Sequence, residues 1–516
     1  MAKYSALLLV TLIVSIEAAA QSKFLTSPTL SSVSGTAASL PNNSISHIQT
    51  RGTTVFIGTS KGLARTVDGG ASWESFRSVP QFVNDGIFSV AVRGNTIWAA
   101  TGFSKPSPTD PNASVQTGSG YTYSLDNGAT WTHRPQTLDA AGDSIVQYGG
   151  NRVYFLPVTV PEQNVTFDVA LTDSAVWIAS WSSGLRKSTD FGQTWQRVVL
   201  PSDTRNSIAP SEDLTGYRVN PVPVDNFKVF AVYVENDSTV WAGSAGGINR
   251  STDGGMSWAK FSTFNQVSHI LGDWVIAING QRLGATTRIW CTNWLGNTEA
   301  HPNQQYGVSY SDDGGRIWKN FLHGIKAYDF AFKDSVAYVA TDEGIFRTAD
   351  GGLSWTQSGT IIDKSNGFRI TSKRFFSVGV VDDTVFCGGG DGLAKTVDNA
   401  TNRFGETWQV LRAFRPSGNV ATTYAYPNPF SPKQEVARVH YSTGGRSAAV
   451  TVEVFDFGMN RVRTIIKDAQ RSGSSEHDEI WDGLDDAKRL VANGVYFYRV
   501  TVEGNDPAWG KVMVLQ

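Results

Sequence analysis

The sequence predicts an all-β chain: a seven-bladed β-propeller of four-stranded sheets, followed by a small β-sandwich. Three observations carry this. An eight-residue box keeps returning, a second shared block stands upstream of each box, and after Trp408 both stop and a different alternating pattern begins.

The boxes are "TVDGGASW" ending at Trp73, "SLDNGATW" at Trp131, "STDFGQTW" at Trp195, "STDGGMSW" at Trp258, "SDDGGRIW" at Trp318 and "TADGGLSW" at Trp355. A seventh, interrupted copy runs from "TVDN", with Asp398, to "GETW" at Trp408. The upstream block reads "VFIGTSKGLAR", "VWIASWSSGLRK", "VWAGSAGGINR", "AYVATDEGIFR" and "VFCGGGDGLAK"; "IWAAT" and "IWCTN" begin it and then carry insertions. The shortest repeat, Trp318 to Trp355, divides into four β-rich runs separated by turn residues, so each unit is a four-stranded sheet and the array is a propeller.

Within a box the Asp carboxylate accepts backbone N–H bonds across the turn, a glycine supplies positive φ, and the Ser or Thr hydroxyl ties the strand ends. The Trp opens the outer strand, buries its ring between sheets, and its indole N–H is expected to find an acceptor. Asp68, Asp126, Asp190, Asp253, Asp313, Asp350 and Asp398 are therefore read as structural, not catalytic. Cys291 and Cys387 fall in the same register two repeats apart, too distant to bridge, and are expected as free, buried thiols.

These boxes resemble the Asp-box (BNR) repeat of sialidases, xyloglucanases, sortilin-type receptors and photosystem II assembly factor-like propellers. The resemblance implies ligand binding on the face opposite the boxes. A sialidase site opens on Phe-Arg-Ile-Pro near the first blade; here the similar run, "FRIT" at Phe368 to Thr371, follows the sixth box and lacks the Pro.

That opposite face receives the loops between second and third strands. Two are long, Thr101 to Tyr121 and Thr292 to Gly307, and so are two connections between repeats, about Arg134 to Phe167 and Leu200 to Phe227. All four are expected to project from this face, where Trp181, Trp294, Phe103, Tyr121 and Tyr217 are the candidate ligand-binding rings. Asp342, Glu343 and Asp391 are the candidate acids should the site hydrolyse glycosides, which takes two carboxyls roughly 5 to 10 Å apart.

The 516 residues carry a formal net charge of -2 and no basic run, which argues against nucleic acid as a partner. The seven histidines are scattered, and no phosphate loop, dinucleotide fingerprint or serine elbow occurs, so neither metal nor cofactor is expected. Lys3, an apolar run from Ala6 to Ile16 and Ala18, Ala19 and Ala20 have the plan of a signal peptide cleaved after Ala20, leaving no membrane span.

The expected boundaries are a signal peptide at 1–20, a linker at 21–41, the propeller at 42–415, a second linker at 416–422 and the sandwich at 423–516. The last segment resembles the immunoglobulin-like (Ig-like) domain of flagellar hook-capping proteins. The resemblance is carried by "YPNPF" (Tyr426, Pro427, Asn428, Pro429, Phe430), "WDG" (Trp481, Asp482, Gly483) and the closing "GKVMVL" from Gly510 and Lys511. It departs where the family often has Gly and this chain has Ala487 and Lys488.

The same pattern resembles sorting domains of type IX secretion cargo. That implies export past the outer membrane of a Gram-negative bacterium, with the secretion machinery as a partner. The combined expectation is a secreted or surface-held monomer, a non-enzymatic module binding an extracellular glycan or protein. The alternatives are a sialidase- or xyloglucanase-like glycoside hydrolase and a structural scaffold.

Overall fold

The computed structural model describes residues 40–76, 79–82, 85–106, 114–296, 302–413, 423–433, 436–443, 446–471 and 476–516. The expected signal peptide, nearly all of the first linker and the whole of the second lie outside them. The described residues form no α-helix, only strands and the short 3-10 turns Pro80–Phe82 and Asp225–Phe227.

Four-stranded antiparallel units follow one another along the chain, each from one stretch and paired in sequence order, as in Ala327–Lys333, Val336–Thr341, Gly344–Thr348 and Thr356–Gln357. The first strands Ile45–Arg51, Gly86–Arg93, Thr166–Leu171, Val229–Val234, Ile278–Leu283, Ala327–Lys333 and Phe375–Val381 surround one channel of about 740 Å³, and the last packs against the first. This is a β-propeller arrangement. Second strands such as Val176–Ser180 and Val240–Ser244 are buried throughout, because each sheet is covered on both faces by its neighbours.

Six boxes share one hydrogen-bond plan. In "STDGGMSW", Asp253 Oδ1 accepts from the backbone of Met256 at 3.0 Å and Ser257 at 2.8 Å, and the Ser257 hydroxyl donates to Oδ2 at 2.5 Å. Ser251 donates to Asp253 at 2.8 Å and accepts from Gly255 N–H at 2.8 Å. Gly255, at φ 92°, sits where an added Cβ would meet the Trp177 ring at 2.5 Å, so both conformation and space require glycine.

The seventh box departs from this plan. Its strand ends still pair, Lys395 with Gln409, and Thr396 Oγ1 still accepts from Gly405 N–H, but Asp398 turns to the preceding sheet, accepting from Arg347 Nε and the Tyr338 hydroxyl.

Box tryptophans set sheet against sheet. Trp195, Trp258, Trp318 and Trp355 stand edge-on to Trp98, Trp177, Trp241 and Trp290 of the preceding sheets, with centroids 6.4 to 6.5 Å apart and planes at 80° to 87°. The expected indole bond forms at Trp258, to Gly255 O at 3.1 Å, but the buried Nε1 of Trp73, Trp131, Trp318, Trp355 and Trp408 has no acceptor. Ring-against-ring packing takes the place of that bond.

A basic residue on the third strand adds a latch to the next box turn. Arg65 donates to Asn127 O at 2.5 Å, Lys187 to Gly254 O at 3.1 Å, Arg250 to Gly314 O at 3.3 Å and, across the seam, Lys395 to Gly69 O at 2.7 Å. Cys291 and Cys387 are free and buried.

The long connections correct the expectation that all four project from the face opposite the boxes. Arg134 to Phe167 and Leu200 to Phe227 fold on each other at the rim: Asn151–Phe155 pairs with Ile145–Tyr148 and, in parallel, with Arg218–Val219. Ser207–Ile208 adds an outermost strand to the fourth sheet, and the Tyr148 hydroxyl donates to Met256 O of a box. These connections leave from outer strands, and that open edge is the nearest partner for their backbone. Thr101 to Tyr121 is not a loop either: Thr96–Pro106 and Ser114–Ser124 form one long hairpin whose tip, 107–113, lies outside the described residues.

From Thr423 the chain forms two further sheets, of three and four strands, sharing one core that includes Phe430, Tyr441, Val452, Trp481 and Tyr498. The proline-rich motif is a staple: Asn428 donates to Lys511 O at 2.9 Å and accepts from Met513 N–H at 2.8 Å, while Phe430 packs on Trp481 at 5.4 Å. Lys488, at φ 62°, occupies the left-handed turn conformation that favours glycine.

Two stability effects are expected in chemical denaturation. Asp253→Ala lowers unfolding free energy by about 1 to 2 kcal/mol through its lost turn bonds, and Lys488→Gly leaves it unchanged or raises it by up to about 1 kcal/mol. An unaltered midpoint in Asp253→Ala would remove the box carboxylate from the account of the turn.

Candidate functional site

The channel mouth opposite the boxes is built by a defect repeated in the first strands. Pairing of first and second strands slips by one residue between Ile45 and His47, Ile87 and Ser89, Thr166 and Asp168, Val229 and Ala231, Ala327 and Asp329, and Phe375 and Ser377. A bulge leaves one residue unpaired and redirects its side chain. The unpaired residues are Ser46, Phe88, Phe167, Phe230, Tyr328 and Phe376, so the slip sets a circle of half-buried rings around the mouth.

Five of the six residues that follow a bulge, all but Ala231, contribute side chains to a belt of hydrogen bonds inside the channel. His47 Nδ1 accepts from Val90 N–H at 2.8 Å, Asp168 accepts from Ser89 Oγ and Val232 N–H, both at 2.9 Å, and Asp329 accepts from the Ser377 hydroxyl and Asn279. Ser377 Oγ in turn accepts from Ile48 N–H at 2.8 Å, joining the last sheet to the first. Burial raises Asp168 to about 6 and Asp329 to about 7, and lowers His47 to about 4.

Trp181 and Trp294 lie on this face, half-buried, and a third tryptophan links them. Trp181 meets Trp274 at 5.7 Å and Phe230 at 5.3 Å, and Trp274 exchanges backbone hydrogen bonds with Trp294, which meets Tyr328 at 5.3 Å. Lys228 sits 5.4 Å from the Trp181 ring and Lys326 5.1 Å from Trp294. Phe103 is half-buried on the same side, nearer the C-terminal sheets.

Two candidate rings belong elsewhere. Tyr121 is 0% exposed, packed between Trp98 and Trp195, because strand alternation within the long hairpin turns it into the core. Tyr217 lies in the rim insertion, donating to Leu200 O at 2.7 Å and packing on Phe227. The sequence reading missed Phe88, Phe167, Phe230, Trp274, Tyr328 and Phe376. The available signal was an aromatic recurring at one place in "IFSV", "TFDV", "VFAV", "AYDF" and "FFSV".

The candidate acids have separate commitments. Asp391 is buried and held by Arg412 at 2.7 Å and by Thr371. Glu343 pairs with Lys373 at 3.0 Å. Burial and the neighbouring Glu343 raise Asp342, whose carboxylate accepts from Lys326 N–H at 3.2 Å.

Part of the mouth is covered by the C-terminal sheets. Arg438 donates to Ser104 Oγ at 2.6 Å and the Tyr424 hydroxyl to Gly390 O at 3.0 Å. Between these bonds the two units enclose a cavity of about 410 Å³. The cluster of Trp181, Phe230 and Trp274 does not line that cavity.

No family model and no curated protein matches the chain. Among solved structures it is similar to PorZ, a surface component of the type-IX secretion system of Porphyromonas gingivalis, at 14% identity and TM-score 0.38, covering 92% of this chain and 66% of that one. It is similar to YCF48 from Cyanidioschyzon merolae at 16% identity and TM-score 0.42, covering 70% and 97%. An ancestral GH74 enzyme matches at 12% identity and TM-score 0.47, covering 93% and 64%. The chain thus spans less than two thirds of the length of the first and third of these. These neighbours are β-propellers at low identity.

The belt carries a pH signature. Asp168 and Asp329 titrate near 6 and 7 in the folded chain against an ordinary 3.8. Their contribution to stability is complete below about pH 4 and is lost as pH rises through 6 to 7. His47, lowered from 6.5 to about 4, contributes the opposite slope between those values. Asp329→Asn should therefore lose less thermal stability than the parent between pH 5 and 8; parallel curves would show that Asp329 stays ionised throughout.

Proposed function

We propose that the chain is a secreted or surface-held recognition module: a seven-bladed propeller of Asp-box repeats with an Ig-like C-terminal sorting or anchoring domain, binding an extracellular glycan or protein opposite the boxes. The observation that carries this reading is the convergence of Trp181, Phe230, Trp274 and Trp294 on the channel mouth, half-buried and braced by one another. Rings held in place lose little freedom on binding and offer flat apolar faces to a sugar ring or a peptide side chain.

The hydrolase alternative needs a free acid pair. Against it, Asp391 is committed to Arg412 and Glu343 to Lys373, leaving Asp342 as the unmatched candidate. A scaffold without a ligand gives no reason for an aromatic residue at this bulge in sheet after sheet. Export rests on the leader-like first residues and on the resemblance of the last segment to sorting domains, with the outer-membrane secretion machinery as second partner. No helix of the described residues is long and apolar enough to cross a membrane.

The test is retention of the purified protein on insoluble polysaccharides and immobilised glycoproteins, with new reducing ends assayed in the same wells. Trp181→Ala combined with Trp294→Ala should cut retention by about tenfold or more with the melting transition preserved. Undiminished retention in the folded double variant would place the ligand elsewhere, and release of reducing ends would favour hydrolysis.

A further inference from the structure

We infer that the cavity between the propeller mouth and the C-terminal sheets is a binding site built jointly by both units, and that it takes a neutral pyranose unit of a glycan. This deepens the recognition reading and rests on it.

The cavity, about 410 Å³, lies within the roughly 300 to 1,000 Å³ of small-molecule sites. Its propeller wall presents four rings, Phe88, Phe103, Tyr328 and Phe376, among serines and glycines, and carries one buried carboxyl, Asp85, and the Arg374 guanidinium. Its opposite wall is polar, with Arg438, His440 and Asp478 beside Tyr426 and Pro427. A pyranose has the matching division: a C–H face that lies on rings, and a rim of hydroxyls that needs donors and acceptors together.

Charge compensation selects a neutral ligand. Burial works against the charge of Asp478, but His440, 2.9 Å away, and Arg438 outweigh it and hold its pKa below the ordinary value. Burial raises Asp85 to about 6, moderated by the Ser119 hydroxyl and the charge of Lys61. Arg374, the remaining charged side chain of the propeller wall, is engaged with a neighbour as well, so neither wall leaves a lone charge calling for an ion.

The experiment titrates the full chain with soluble neutral oligosaccharides of the gluco, xylo, manno and chito series by calorimetry. Phe103→Ala, from one unit, and Asp478→Asn, from the other, should each weaken binding by about tenfold or more, while Leu353→Ala, exposed on the box face, changes it by less than about twofold. Sugar should also slow hydrogen exchange at both Asp85–Phe88 and Arg438–His440. If Phe103→Ala fails to fold, Phe103→Leu removes the ring while filling its space. Undiminished binding in both Phe103→Ala and Asp478→Asn, or protection of one unit alone, overturns the joint site and leaves the recognition reading standing. If every sugar fails while a glycoprotein or peptide is retained, the pyranose assignment falls and that reading survives in its protein form.

Discussion

The structure depends on closing a circle without sharing a strand. The four propeller strands of every sheet around the channel come from one stretch of chain and no backbone ladder runs from the last sheet to the first, so side chains must make the joint. Ser377 accepts from Ile48 N–H in the channel, Lys395 reaches Gly69 O on the box face, and Ala413 N–H donates to Asn43 at 2.8 Å. Apolar contact completes the joint: Leu40, Ile45 and Ile48 share a core with Val381, Phe386 and Leu393. Gly388 leaves the room this requires, since a Cβ there would stand 2.4 Å from Ile45 Cγ2.

The interrupted seventh box fits the same constraint. In the other boxes the aspartate serves its own turn, a purely local task. Asp398 instead holds Arg347 and Tyr338 of the sixth sheet, so the repeat whose aspartate no longer serves its own turn strengthens a contact beside the seam. Tyr338 is fully buried, and burial first, then the carboxylate that meets it, push its phenol far above its ordinary range.

What was legible in the sequence was what is local. Box turns close within four residues, so Asp253, Ser251 and Ser257 announce their bonds by spacing alone, whereas Tyr-Pro-Asn-Pro-Phe was legible as a motif but not by its partners, which stand more than eighty residues on at Lys511 and Met513. Trp181 and Trp294 were found because they follow a recognisable strand. Tyr121 was misplaced because the hairpin carrying it is longer than its counterparts, which turned an expected loop residue into a core residue. The rim insertion was misread because the strand at Tyr154 pairs with Arg218, a partner no periodicity announces. The rings at Phe88, Phe167 and Phe376 owe their position to a slipped register, which shows in a sequence only when the first strands are laid over one another.

Because Leu40 and Ala413 leave the ring on either side of one joint, the two ends of the propeller emerge at its seam. A load applied through those ends meets a few side-chain bonds and one small apolar patch before it reaches any backbone ladder. The ring is in this sense a bracelet with a clasp: tension opens it into an arc of intact sheets, and only then do strands peel away one sheet at a time.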